Sequence, residues 1–152
     1  MSGDGSDRAR LYAEIEDGLT RIARIANSRR AARRMVERSG IDLPGLTMTT
    51  LADISRLQPV RLTTLAEAMG YEPSRVSKEV RRLLASGLVE QERERHDRRA
   101  YRLRVTERGV DAHRRHRQAA DQLVGEALGS WSDHDLQTFA RLLGRIGVRR
   151  RV

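Results

Sequence analysis

Apolar side chains recur every three or four residues over most of this chain, the period of helices that bury one face. Leu11, Ile15, Leu19, Ile22 and Ile25 open the pattern, which predicts one long helix from Leu11 to about Arg38, ended by Gly40. Met48, Leu51 and Ile54 mark a second helix, from Leu46 to about Leu57. A short third helix runs from Leu65 to Met69 and stops at Gly70, because glycine accepts the left-handed conformation that closes a helix. Thr63 or Thr64 is its expected cap, and Thr64 with Glu67 matches a capping box. The fourth helix spans about Ser74 to Ser86, with Pro73 suited to its first turn. A strand starts at Leu88-Val89 and continues through Arg93, and its partner Tyr101 to Val105 alternates, with Tyr101, Leu103 and Val105 on one side. They predict a hairpin, to which Val60–Leu62 adds at most a third short strand. A long helix follows from Thr106 to Leu128 or Gly129. A last one, from about Asp133 to Ile146, carries Leu136, Phe139, Leu142, Leu143 and Ile146 on one face behind a Ser132/Asp135 cap.

The fourth helix has two faces. Val76, Val80, Leu83 and Leu84 lie on one side; Ser74, Arg75, Lys78, Arg81 and Arg82 lie on the other, with Ser77 at the flank. Two helices joined by a tight turn, the second basic outside, make a helix-turn-helix. Such a helix fits the major groove by diameter, and Arg or Lys on it reaches guanine edges or phosphates. A solvated basic face is the competing reading of this helix alone. The hairpin weighs against it: from Gln91 to Arg104 there are six Arg and three acidic residues. A charged tip with little to pack stands off the body, and its arginines suit phosphates or a narrow minor groove. Arg95, Arg98 and Arg102 are the phosphate candidates. Arg99 is the minor-groove candidate, oriented by Asp97.

Length and composition narrow the function. The 152 residues are about one domain, with no internal repeat and no low-complexity linker. There is no Cys, which excludes disulfides, Cys-based zinc sites and a thiol switch within the chain. The net charge of +9 implies an anionic partner, with nucleic acid first. Arg supplies nearly all of it, and Lys78 is the sole Lys. Aromatics at 3% are too few for a surface that stacks RNA bases. No signal-peptide core and no run of about 18 apolar residues is present, so a cytoplasmic protein with no membrane partner is expected.

The run Asp97-Arg98-Arg99-Ala100-Tyr101-Arg102-Leu103-Arg104-Val105-Thr106-Glu107-Arg108-Gly109 resembles the wing of the MarR family of bacterial transcription regulators. In that family an Asp-x-Arg tip leads into a hydrophobic strand and then Thr-x-x-Gly. Leu65-Ala66, Gly70, Val76-Ser77-Lys78, Leu83 and Gly87-Leu88-Val89 resemble its recognition unit. Lys78 stands where Arg is usual and Val105 where Leu is usual; a Lys is a point charge that cannot fork onto guanine. The resemblance implies a mainly α, winged helix-turn-helix fold with about six helices and a two- to three-stranded β-wing. The polar, Gly- and Ser-containing stretch 1–10 reads as a flexible arm and 148–152 as a basic tail, around one winged-helix domain over 11–147. Within the domain, 43–105 reads DNA, while 11–40 and 106–147 pair two copies. A homodimer on an inverted repeat of double-stranded DNA follows, as a repressor released by a small organic effector. Tyr12 and Met48 are the candidates for lining an effector cleft.

Other chemistry is weaker. His113 and His116 have the spacing of two ligands on one helix face, but Arg114, Arg115 and Arg117 oppose a cation, so no metal is assigned. No phosphate-cradling glycine loop, His-Glu-x-x-His or Gly-x-Ser-x-Gly occurs, so no cofactor and no enzyme activity are expected. The alternative function is a DNA-coating protein that does not choose sequence.

Overall fold

The computed structural model describes residues 3–93 and 101–146. In chain order these form α1 (Gly3–Ala26), α2 (Arg29–Ser39), α3 (Gly45–Leu57), α4 (Leu62–Met69), α5 (Pro73–Ala85), β1 (Val89–Arg93), β2 (Tyr101–Val105), α6 (Glu107–Leu128) and α7 (Asp133–Arg145). The mainly helical, winged architecture expected from the pattern is present.

The first predicted helix is two. Ser28 adopts an extended conformation (φ −73°, ψ 149°) and its Oγ accepts from the Ala31 N–H, so it caps α2. Asn27 Nδ2 donates to the Ala23 carbonyl at the end of α1. Short polar side chains that bond nearby backbone compete with helix continuation, and two in a row end it here. The described residues therefore hold seven helices rather than about six. At the other end α1 begins at Gly3, so residues 3–10 of the expected flexible arm are helical. Residues 7–10 are all exposed, and a helix with no buried face has no apolar period to read.

The remaining boundaries are close to expectation, with one correction. α4 starts at Leu62 behind Arg61, which makes no side-chain cap. Thr63 and Thr64 are both exposed inside the first turn, so neither is the cap. The expected third strand shrinks accordingly to a single bridge, Val60 with Leu103. The Val60 N–H donates to the Leu103 carbonyl at 3.2 Å, and the Leu103 N–H to the Val60 carbonyl at 2.8 Å. The hairpin is antiparallel, pairing Val89 with Val105 and Arg93 with Tyr101.

One core lies under α5. Met48, Leu51 and Ile54 of α3, Leu65 of α4, Val76, Val80 and Leu83 of α5, and Leu88, Val89 and Leu103 of the hairpin form a single buried cluster. Each large apolar side chain buried there contributes roughly 1.5–3 kcal/mol. The base of the wing is locked to α6 at Gly109. A Cβ at this position would lie 2.1 Å from the Leu88 carbonyl oxygen and 2.6 Å from Val105 Cγ1. Thr106 completes the joint: its hydroxyl donates to the Gly87 carbonyl at 2.8 Å and accepts from the Gly109 N–H at 3.1 Å. The Thr-x-x-Gly spacing is thus a cap plus the close approach it enforces.

α2 lies against α6. Arg34 and Arg38 both bond the Glu126 carboxylate, and Arg115 Nη1 donates to the Ser39 carbonyl at 3.0 Å. Two of the arginines in the basic second half of the first predicted helix are therefore ties between helices. Met48 is 2% exposed and belongs to the core, which removes it as a cleft-lining candidate; Tyr12 is 58% exposed.

Candidate nucleic-acid interface

α4 closes at Gly70 in the left-handed conformation (φ 69°), and its N–H bonds the Ala66 and Glu67 carbonyls. After Tyr71 and Glu72 the chain enters α5 at Pro73, whose missing N–H is no loss in a first turn. α5 packs against α3 and α4 through Val76, Val80 and Leu83. That packing leaves Ser74, Arg75, Lys78 and Arg81 exposed on the opposite face, with Ser77 half-buried at its edge. The structure thus brings all five sequence-predicted residues of this helix onto one outward surface.

Arg75 is held at the front of that surface. Its guanidinium lies over the Tyr71 ring, 4.4 Å from the centroid. An exposed stacking of this kind is worth about 0.5–1 kcal/mol and limits where the side chain points. Arg81 and Ser77 face the hairpin across a cleft of about 270 Å³, floored by Leu62, Val80, Leu84 and Leu103 and edged by Gln91 and Tyr101.

Arg82 departs from the expectation that it shares the face of Arg81. Its Nη1 donates to both oxygens of Glu79, each at 2.8 Å, and its side chain is only partly exposed. Glu79 escapes a reading that sorts side chains into apolar and basic faces. It is 5% exposed and accepts a 2.5 Å hydrogen bond from Thr47 Oγ1 of α3. Burial pushes the Glu79 carboxyl up; the hydrogen bonds from Thr47 and Arg82, with the charges of Arg82 and Lys78, outweigh it and hold the pKa below the ordinary value. On the wheel Glu79 falls just outside the apolar arc, beside Leu83 and on the side toward Arg75 and Arg82, where a boundary position can be buried or exposed.

On the wing, Arg102 is exposed on β2. Arg104 donates to Glu92 at 2.6 Å across the strands, and this bond raises its pKa further. Arg93 lies 5.8 Å from the Tyr101 ring centroid. Arg95, Asp97, Arg98 and Arg99, the expected tip contacts, lie outside the described residues.

His113 and His116 are half-buried on α6. Burial, then the neighbouring His113, lowers the pKa of His116. Among the described residues no three His, Asp or Glu side chains gather as a metal site would require. Nor is any described helix long and apolar enough to cross a membrane.

Comparison with known proteins follows the same lines. Residues 41–100, which hold the helix-turn-helix and β1, match the sequence model of the MarR family. A MarR family protein from Bacillus stearothermophilus superposes with a TM-score of 0.73 at 23% identity, over 90% of this chain and 93% of that one. Streptococcus pneumoniae FabT, solved in complex with DNA, gives 0.58 at 19% identity, over 93% and 94%. The PcaV transcriptional regulator from Streptomyces coelicolor, solved with its natural ligand, gives 0.56 at 23% identity, over 68% and 74%. No curated protein matches the sequence. Over residues 41–100 the chain is similar in sequence to the MarR family, and solved MarR family structures share its fold along nearly its whole length.

Proposed function

We propose that this protein is a sequence-specific regulator of transcription, acting in the cytoplasm as a homodimer on an inverted repeat in double-stranded DNA. The observation that carries the reading is the outward face of α5, where Ser74, Arg75, Lys78 and Arg81 stand exposed together. Arg75, Lys78 and Arg81 are the base-edge or near-base contacts, and Ser74 and Ser77 support them. Arg102 and the tip residues Arg95, Arg98 and Arg99 contact the backbone and minor groove, with Asp97 orienting Arg99.

The second copy is argued from apolar surface. Leu11, Ile15, Leu19, Ile22 and Ile25 of α1 are each 50–62% exposed, and they form one stripe. Leu142 and Leu143 of α7 and Ile146 just beyond it add to the apolar surface at 44–69%. Helical stripes of this kind are covered in a stable protein. A two-fold pair presents its two α5 helices to successive major grooves, about 34 Å apart. Repression, and release by a small organic effector, are carried over from the resemblance; that PcaV binds a natural ligand supports the effector part.

The test is binding of the purified protein to the DNA upstream of its own gene, beside random DNA of equal length, across a salt series. A specific regulator prefers its site by about 10³-fold or more and protects an inverted repeat. Equal binding to all DNA, fading together as salt rises, leaves only electrostatics and favours a DNA-coating protein.

A further inference from the structure

We propose that Glu79 is a positioning residue for DNA reading: its buried carboxylate fixes the rotation of α5 about its own axis and so aims Arg75, Lys78 and Arg81. The inference rests on the reading of α5 as the DNA-contacting helix.

Hydrophobic contacts are non-directional. Val76, Val80 and Leu83 hold α5 against the core but only loosely define its roll. A helix with its side chains is roughly 5–6 Å in radius, so a roll of about 20° moves a side-chain tip by roughly 2 Å. Base contacts tolerate far less, since hydrogen bonds form only between about 2.7 and 3.2 Å. Glu79 supplies the missing direction. Its anchor, Thr47 Oγ1, is fully buried on α3 and 2.5 Å away. Its second partner, Arg82, is drawn to both carboxylate oxygens and off the outward face. The surface left for DNA is therefore Arg75, Lys78 and Arg81.

Stability does not account for this arrangement. A buried carboxylate loses its hydration, and apolar side chains of similar volume in its place are often neutral or stabilising. A charge kept buried at the edge of an apolar arc, bonded to a neighbouring helix, fits a demand for one orientation.

The experiment compares wild type, Glu79→Gln, and the double variant Thr47→Val/Glu79→Met. Each is measured for thermal unfolding and for affinity to the operator and to random DNA. The double variant is expected to unfold within a few degrees of wild type. Its preference for the operator is expected to fall about tenfold, the worth of one good base contact, with random-DNA affinity unchanged within about twofold. Glu79→Gln keeps an acceptor for Thr47 and Arg82 and is expected to hold its preference within about threefold. Undiminished preference in the double variant, or a loss shared equally with random DNA, overturns the proposal. So does a loss in Glu79→Gln as large as in the double variant. If the double variant does not fold, Thr47→Val alone removes the anchor. A preference lowered about threefold then supports the proposal, and no change overturns it. If wild type itself prefers no site, the regulator reading fails, and positioning is read on free protein by amide hydrogen exchange along α5. Exchange about tenfold faster in the double variant at unchanged melting temperature supports the roll restraint, and unchanged exchange overturns it.

Discussion

The guanidinium of Arg75 and the ring of Tyr71 are stacked, 4.4 Å apart, at the point where the turn enters α5. Tyr71 is 38% exposed and contributes little to the core, so its role is to restrain the arginine beside it. Tyr71→Ala is expected to lower operator affinity about threefold, in line with an exposed stacking of about 0.5–1 kcal/mol. Thermal stability should change by no more than a degree or two. A titration showing unchanged affinity removes the stacking from the recognition surface.

Gly109 gives the largest effect expected of a one-carbon change. A Cβ there meets the Leu88 carbonyl at 2.1 Å, and backbone cannot move aside as a flexible side chain does. Gly109→Ala should therefore cost about 2–3 kcal/mol, the upper part of the overpacking range, even after the better helix propensity of Ala. In a chain of this size that is a fall in melting temperature of roughly 4–12 °C. Gly18→Ala, on an open stretch of α1 with nothing within 4 Å of the added carbon, should be neutral or slightly stabilising. A melt in which the two variants behave alike contradicts the joint between wing and α6.

Much of this fold was legible because the winged unit buries apolar side chains at helical or strand period. Met48, Leu51, Ile54, Leu65, Val76, Val80, Leu83 and Leu103 all sit where the pattern places them. Several of the differences come from local polar bonds, which leave no periodic trace. Asn27 and Ser28 end α1 through backbone contacts while the helix-compatible composition runs on. α4 dispenses with a side-chain cap because it starts at Leu62, before either threonine. Angle alone groups Arg82 with Arg81, although a carboxylate three residues earlier holds it. The outward residues of α5 were readable because a buried face defines its opposite.

Acid should weaken the protein partly through Glu79. Its folded-state pKa lies below the ordinary value, since the bonds from Thr47 and Arg82 outweigh the opposing effect of burial. A depressed carboxyl contributes stability that is present above its unfolded pKa, about 4.3, and is lost as pH falls through the folded value. Glu79→Gln cannot be protonated in this way. Wild type should be the more stable at neutral pH, and the gap should close below about pH 4. Thermal melts of both proteins from pH 7 to pH 3 check this; a gap that stays constant assigns the acid sensitivity to other carboxylates.

The exposed stripe of α1 sets a prediction about assembly. Ile15 is 57% exposed at its middle and Leu142 of α7 is 45% exposed, so neither supports the fold of a single copy. Ile15→Asp or Leu142→Asp should leave the helical content of the winged unit intact and shift sedimentation from dimer to monomer. Operator affinity should fall with it, because one half-site then binds alone. A variant that remains dimeric places its residue outside the interface between copies.

Lys78 separates base reading from backbone attraction. It stands exposed on α5 between Arg75 and Arg81, one turn from each, at the centre of the outward face. If its ammonium reads a base edge, Lys78→Ala should cost about 1–3 kcal/mol on the operator and little on random DNA. The salt dependence would then barely change. If it meets a phosphate, affinity should fall alike on both DNAs, and the slope of log affinity against log salt should drop by about one. The central position favours the first outcome, because the middle of a groove-lying helix faces the groove floor while its ends approach the backbone. Lys78→Arg sharpens the distinction. An arginine forks onto guanine where a lysine cannot, so at a base contact it should alter which operator bases are preferred, whereas at a phosphate it should leave the preference unchanged.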